Sequence, residues 1–516
     1  MIRKGVLGIL LLLSVLSVVG QNPFKGSSKS IFWDAEDYYL KGDLLNGLVL
    51  FDSIYSEKPN NPKLNFYIGD SYFQLKDYKK ALTYLSKAVE INDANYELSY
   101  SHLHEGDFTL AAADLKKYTW NEQSKFTKYE AQQLDSNIKT YARLIYEPEV
   151  VNIINLGKAI NTSADEYVPL ISSDESLLLF TSKRDSGAKR DPLGRPYEDI
   201  YYSNNDKDGF NWNPAKKVKG KVNSPLHDAC VGLSPDGNTM FLFRSNENLI
   251  GGDLYESILM DGKWTTPVIM SNKINGTLSI EPSGSISLDG KTFYFSSNRD
   301  GGYGGFDLYR AVKFPNGEWS EALNLGPNVN TPLDEDAPFI HPDGRTLYFS
   351  SQGHTNVGGF DVFKTELKNK NWANPANLGS PTNTSKDDIY FTISANEKHG
   401  YYSSAKEGGF GGQDIYVIDY LEKSLRQSVI SAELTVNGIP SSLEISLIDL
   451  ETGELAGIYR SNPMNGKFIF LVNPNVEYEI IVEGENIEEF SEIINYSVKD
   501  LLSKQKKQIK VKGIAE

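Results

Sequence analysis

The sequence predicts a multidomain chain, α first and then all-β: an α-helical solenoid, a five-bladed β-propeller and a small β-sandwich. Three observations carry this. Residues 34–145 show helical periodicity and almost no strand signal. Further on, a phrase recurs that is fullest at residues 287–309, S-L-D-G-K-T-F-Y-F-S-S-N-R-D-G-G-Y-G-G-F-D-L-Y, with copies at 234–255 and 341–363 and degraded ones at 172–201 and 394–416. With Asp174, Asp236, Asp289, Asp343 and Asn396 as phase markers the steps are 62, 53, 54 and 53 residues. Strands repeated at that period indicate a propeller. From Val429 onward, alternating strands broken by Asn437-Gly438, Thr452-Gly453 and Asn465-Gly466 indicate a separate small β domain.

A length of 516 residues allows about three domains, each with its own core. At the start, Arg3-Lys4, an apolar run over 6–19 and Gly20 have the form of an export signal over 1–20, too short to span a bilayer comfortably. No cysteine follows to take a lipid, and the single Cys230 leaves no internal disulfide. No second apolar segment is present, so the expectation is a periplasmic protein with no direct transmembrane span, held at the outer membrane only through partners. Without residues 1–20 the balance is 50 basic against 68 acidic residues, or −18, which argues against a nucleic-acid partner.

Over 21–147, Tyr67-Ile68-Gly69-x-x-Tyr72, Lys76-Asp77-Tyr78-x-x-Ala81 and Ala88 give the small-residue spacing needed where two helices cross closely. A shift of 34 places Ala35, Leu44, Gly47, Ile54 and Pro59 in register, and Gly106-Asp107-Phe108-x-x-Ala111 is a third copy shortened by four residues. This segment resembles the tetratricopeptide family. The resemblance implies a concave surface for a protein partner, the alternative being a rigid spacer. A last helix is expected over 124–145 as a cap. His102-x-x-Glu105 has the spacing of two zinc ligands on one helix face, but no third ligand accompanies it and a chance pairing is the better reading.

Over 148–422 each repeat carries an asparagine ahead of its first strand: Asn161, Asn223, Asn275, Asn330 and Asn383. Four carry a tryptophan after the third strand, at Trp212, Trp264, Trp319 and Trp372. The fifth lacks it, while 154–162 matches 323–331, so strand 150–156 is expected to complete the last blade beside 415–418 and close the ring. The S-P-D-G, F-S-S-N-R and G-G-F-D-L-Y motifs resemble the WD40-like repeat of the TolB type. Asp199, Asp253, Asp307, Asp361 and Asp414 read as structural, bonded to turn amides or to a cation such as Arg299 or Lys406. Glu166, Asp228, Glu281, Glu335 and Asp388 lie eight residues before each phase marker. They either form a carboxylate ring at the channel mouth, able to hold a cation or a basic group, or point outward into inter-blade hydrogen bonds, the reading that repeat-wide identity favours. Asn204-x-Asp206-x-Asp208-Gly209 begins like a calcium loop, but Ala215 stands where the bidentate Glu belongs, and turn chemistry accounts for it.

Over 428–516, strands are expected at 433–436, 443–449, 467–471 and 478–482, with the basic tail 504–512 as an edge strand. Asp449-x-x-Thr452-Gly453-Glu454 with Asn465-Gly466-Lys467-Phe468 resembles the carboxypeptidase regulatory-like sandwich. No catalytic constellation is present: no G-x-S-x-G, no H-E-x-x-H, no phosphate-binding loop, and Cys230 falls in an expected inner strand as an inert thiol. No cofactor is expected. The domain order resembles Bacteroidetes envelope proteins of the PorE type, a component of the type IX secretion system. That resemblance implies a non-enzymatic scaffold that docks on an outer-membrane or secretion complex. Such chains continue into an OmpA-like domain, which the sequence to Glu516 lacks, so peptidoglycan binding is not expected. The alternative is an envelope protein that binds a ligand or ion at the propeller mouth.

Overall fold

A computed structural model describes residues 22–146, 150–185, 187, 190–191, 194–205, 210–247, 249, 251–406, 408–421, 427–502 and 506–514. The expected signal segment, 1–20, and the 206–209 part of the calcium-like stretch lie outside the described residues. The chain divides into two compact units, Met1–Glu147 with Thr355–Gly359 and Thr384–Lys386, and Pro148–His354 with Phe360–Asn383 and Asp387–Glu516.

The helical region comprises α1 (Ser27–Leu40), α2 (Leu44–Tyr55), α3 (Pro62–Gln74), α4 (Tyr78–Leu85), α5 (Asn92–His104), α6 (Phe108–Leu115) and α7 (Lys128–Tyr146). The second helix of each pair starts on an aspartate. Asp43, Asp77 and Asp107 accept from the backbone N–H three residues on, at Asn46, Lys80 and Leu110. Each such cap stabilises its helix by about 1 kcal/mol. Helix crossing depends on the small residues the spacing points to: a Cβ on Gly69 would stand 2.7 Å from Leu85 Cγ. The last helix begins later than 124, because Thr127 and Glu130 cap each other's backbone N–H groups and fix its start at Lys128. Residues 116–127 are therefore an irregular connector.

The β-rich region holds five successive antiparallel sheets. The first runs through Glu166–Ile171, Leu177–Ser182, Asp199–Asn204 and Lys216–Lys217. The next three repeat this order from Asp228–Leu233, Gly284–Ile286 and Glu335–Ile340, and the fifth runs through Asp388–Ile393, His399–Ser404 and Asp414–Asp419. The outermost strand of the fifth sheet is Asn152–Asn155, antiparallel with Asn152 opposite Asp419 and Asn155 opposite Tyr416. The expected pairing of 150–156 with 415–418 is thus present. The first strands of the sheets touch one another in sequence order, and the fifth touches the first.

The hairpin at Asp289-Gly290 is longer than a two-residue turn. Ser287 N–H bonds Thr292 O, and of the two turn residues only Gly290 takes positive φ, at 67°. In the degraded copies Glu175 and Glu397 occupy the corresponding position at φ 55° and 54°.

The last region packs two sheets around Ile430, Leu434, Ile445, Phe470, Ile480 and Ile509. One sheet holds Lys467–Val472, Ser428–Val436 and Lys506–Val511, with the short Ile439–Pro440 paired to Ser428–Val436. The other orders Leu455–Arg460, Glu444–Asp449, Glu477–Glu483 and Phe490–Asn495. The basic tail is an edge strand, and it runs parallel to Ser428–Val436.

Candidate functional site

The repeated side chains of the β region form a bonding scheme used five times. Each asparagine ahead of a first strand brackets one residue of the preceding sheet's third strand. Ile415, Ile200, Leu254, Leu308 and Val362 donate N–H to Asn161, Asn223, Asn275, Asn330 and Asn383 at 2.7–2.9 Å. The same amides donate back to those residues' carbonyls at 2.9–3.0 Å. The asparagines therefore tie each sheet to the next, and Asn161 ties the first to the fifth.

Among the third-strand aspartates, Asp307 accepts from Tyr303 N, Gly304 N and Asn324 Nδ2, and Asp414 from Phe410 N, Gly411 N and Asn155 Nδ2. Turn amides hold them, as expected. A cation, Lys217, pairs with Asp199 at 2.6 Å, whereas the two expected beside Asp307 and Asp414 go elsewhere: Arg299 pairs with Glu281 at 3.2 Å, and Lys406 donates to Pro381 O.

Glu166, Asp228, Glu281, Glu335 and Asp388 are all fully buried. Each accepts hydrogen bonds from side chains or amides of its own repeat. Glu166 accepts from Thr162 N, Thr162 Oγ1, Ser182 Oγ and Arg184 Nη2. Glu281 accepts from Ser279, Ser297 and Arg299, and Asp228 from Ser224 N and Arg244 Nε. The arginine also reaches a carbonyl beside the bracketing asparagine, at Ile160, Val222 or Ile274. In the fourth sheet Gly353 stands at the arginine's position. His354 Nε2 takes the matching carbonyl, Val329 O, at 2.9 Å, and Glu335 keeps only Thr331 and Ser351. Burial pushes Glu335 up to about 7 despite those hydrogen bonds.

Just after the carboxylate the first strand bulges in four of the five sheets. Val168, Ala337 and Tyr390 take positive φ there. A small cavity of about 20 Å³ lies among the first strands, bounded by Leu170, Ala337, Phe339 and Phe391 among others. Cys230 is buried, within 3.5 Å of Thr181 Oγ1, and burial pushes its thiol up to about 12, which suits an inert group.

The helical region offers a different cluster. Lys125, in the connector before α7, reaches the side chains of α3 and α5. Its ammonium pairs with Asp70 and lies 2.9 Å from Glu97 Oε1, both carboxylates being fully buried. Its backbone N–H faces Asp93 at 3.3 Å. Tyr39 of α1 also donates to Asp70. The next residue, Phe126, stacks on Tyr96 with centroids 3.9 Å apart and lies edge-on to Phe73 at 6.2 Å. Burial alone would lower Lys125, but Glu97 and Asp70 hold it well above its ordinary value. Burial and the neighbouring Asp70 push Glu97 well up, whereas Lys125 holds Asp70 down against its burial. Sequence periodicity located the helices, not this cluster, since nothing in the connector repeats.

His102 is bonded through Nδ1 to Asp114 at 2.8 Å, away from any ligand role with Glu105. Among the described residues no group of three or more His, Cys, Asp or Glu is placed to hold a metal ion, and no helix is long and apolar enough to cross a membrane.

Residues 62–95 match the tetratricopeptide repeat, so α3, α4 and the turn into α5 are one such repeat. No curated protein matches the chain. Solved structures that are similar include a putative glycoside hydrolase from Bacteroides ovatus, at 12% identity and TM-score 0.34 over 51% of this chain and 89% of that one. A gluconolactonase from Xanthomonas campestris is similar at 12% identity and TM-score 0.29 over 52% and 89%. A β-xylosidase/α-arabinofuranosidase from a compost microbial metagenome is similar at 12% and 0.34 over 52% and 94%. Overlap this loose assigns neither fold nor activity.

Proposed function

We propose that the five sheets form a five-bladed propeller closed by Asn152–Asn155, and that the protein is a non-enzymatic periplasmic scaffold. It docks on an outer-membrane or type IX secretion complex through its helical repeats and the faces of its sheets. The observation that carries this is the tetratricopeptide repeat at 62–95, flanked by two further helix pairs, since such stacks expose concave surfaces used for protein partners. The five repeated carboxylates fit this reading, because each accepts a hydrogen bond from its own repeat. The domain order resembling PorE-type envelope proteins, with a regulatory-like sandwich at the end, fits the same reading. Affinity purification of the tagged chain from solubilised envelope tests it. Stable co-recovery with a membrane complex is expected. A chain recovered alone, and stabilised instead by a small molecule or ion, contradicts it.

A further inference from the structure

The strongest feature outside the repeated scheme is the Lys125–Phe126 segment against α3 and α5. Three observations set it apart from ordinary core packing. First, the ammonium comes from an irregular connector, 55 residues from Asp70 and 28 from Glu97. Second, two fully buried carboxylates face one ammonium, and burial with the neighbouring Asp70 pushes Glu97 well up. A guanidinium, with its planar fork of donors, could face the same two carboxylates. Third, the connector is fastened at its ends. The Asn92 side chain brackets the N–H and C=O of Thr119, each at 2.9 Å, and Thr127 is locked into the start of α7. Between these points Asn121, Glu122 and Gln123 are exposed. The segment between these anchors contributes no residue to α5 or α7.

We propose that Asp70, Phe73, Asp93, Tyr96 and Glu97 form a docking site for a partner-protein segment bearing a lysine or arginine followed by an aromatic residue, and that Lys125-Phe126 occupies this site in cis. The carboxylates take the cation, Tyr96 and Phe73 take the ring, and the chain's own segment must leave before a partner enters. This rests on the partner-binding reading of the helical repeats and names the chemistry that the groove selects. Occupation in cis lowers the apparent affinity for a partner by the fraction of time the site stands open.

The test uses the full chain and a labelled peptide of residues 121–128, Asn-Glu-Gln-Ser-Lys-Phe-Thr-Lys. A Lys125→Ala/Phe126→Ala chain should bind it at least about 10-fold more tightly than the unsubstituted chain, because its own segment no longer competes. Adding Asp70→Asn should abolish that binding. Equal binding by the two chains overturns the proposal, as does binding that survives alanine at both the lysine and the phenylalanine of the peptide. Should the double variant lose its helical circular dichroism, the unsubstituted chain still decides. Millimolar peptide should shift the emission of Trp120, obtained by difference from Trp120→Phe, as residues 120–126 leave. Emission that stays constant overturns the proposal. Co-purification with an envelope complex could succeed while both peptide assays fail. The scaffold reading would then stand with docking assigned to another surface.

Discussion

The helical and β regions both bury carboxylates completely, and they satisfy them in opposite ways. In the sheets the partners are local and repeated: Glu166, Glu281 and Glu335 each accept from a serine 16 residues on, and the first two from an arginine 18 residues on. In the helices Asp70 and Glu97 share one lysine from a connector that belongs to no repeat. A bond that returns in every copy answers a demand of the repeat itself, whereas one made once, from far along the chain, marks a place where the fold holds something it could release. The difference separates scaffold from candidate site without reference to residue type.

Substitutions put this contrast to the test. The largest effect is expected at Arg299→Met, which leaves Glu281 buried without a cation and should cost about 3–5 kcal/mol in denaturant unfolding at pH 8. Asn330→Ala strips the Leu308 N–H and C=O of their buried partners and should cost about 2–4 kcal/mol by the same measurement. The fourth sheet supplies a pH dependence through Glu335. Glu335 folds with a value near 7, above the usual 4.5, so the folded state keeps a proton that the unfolded chain has released. Stability fully present below pH 4.5 should therefore fall as pH rises through 7, by about 3 kcal/mol, and Glu335→Gln should flatten that slope in unfolding curves taken across pH.

Lys125→Met should cost less than Arg299→Met, although it faces two carboxylates. When residues 120–126 lift away, water reaches Asp70 and Glu97, so the loss is capped by the free energy of closing the segment. A 10- to 100-fold competition for peptide converts to about 1–3 kcal/mol, and the unfolding loss should not exceed it. The smallest effect is a gain: Glu397→Gly removes an L-residue from φ 54° and should stabilise by about 1 kcal/mol in thermal unfolding.

Much of the β region was legible because its signals are periodic. Phase markers gave the sheet boundaries, and the match between 154–162 and 323–331 gave the strand that completes the fifth sheet. The aspartates of Asp43, Asp77 and Asp107 follow the same repeat as the helix pairs. What was not legible depends on facing across a register. Glu281 and Arg299 are 18 residues apart and meet only once the hairpin and the bulge after the carboxylate are set, so spacing placed the arginine beside Asp307 instead. The start of α7 was missed because residues 124–126 carry a helix-compatible pattern, while Thr127 and Glu130 decide the boundary. The parallel course of Lys506–Val511 depends on a partner some 75 residues away, which no local pattern reports.

Hydrogen exchange on the intact, unsubstituted chain tests the contrast most directly, by comparing the amide of Lys125, held by Asp93, with that of Ile415, held by Asn161. Lys125 should exchange through a local opening, at a rate well above that of the helices on either side, while Ile415 should wait for unfolding of the whole β region. Protection of Lys125 equal to that of α3 and α5 would make the connector ordinary core and contradict the account.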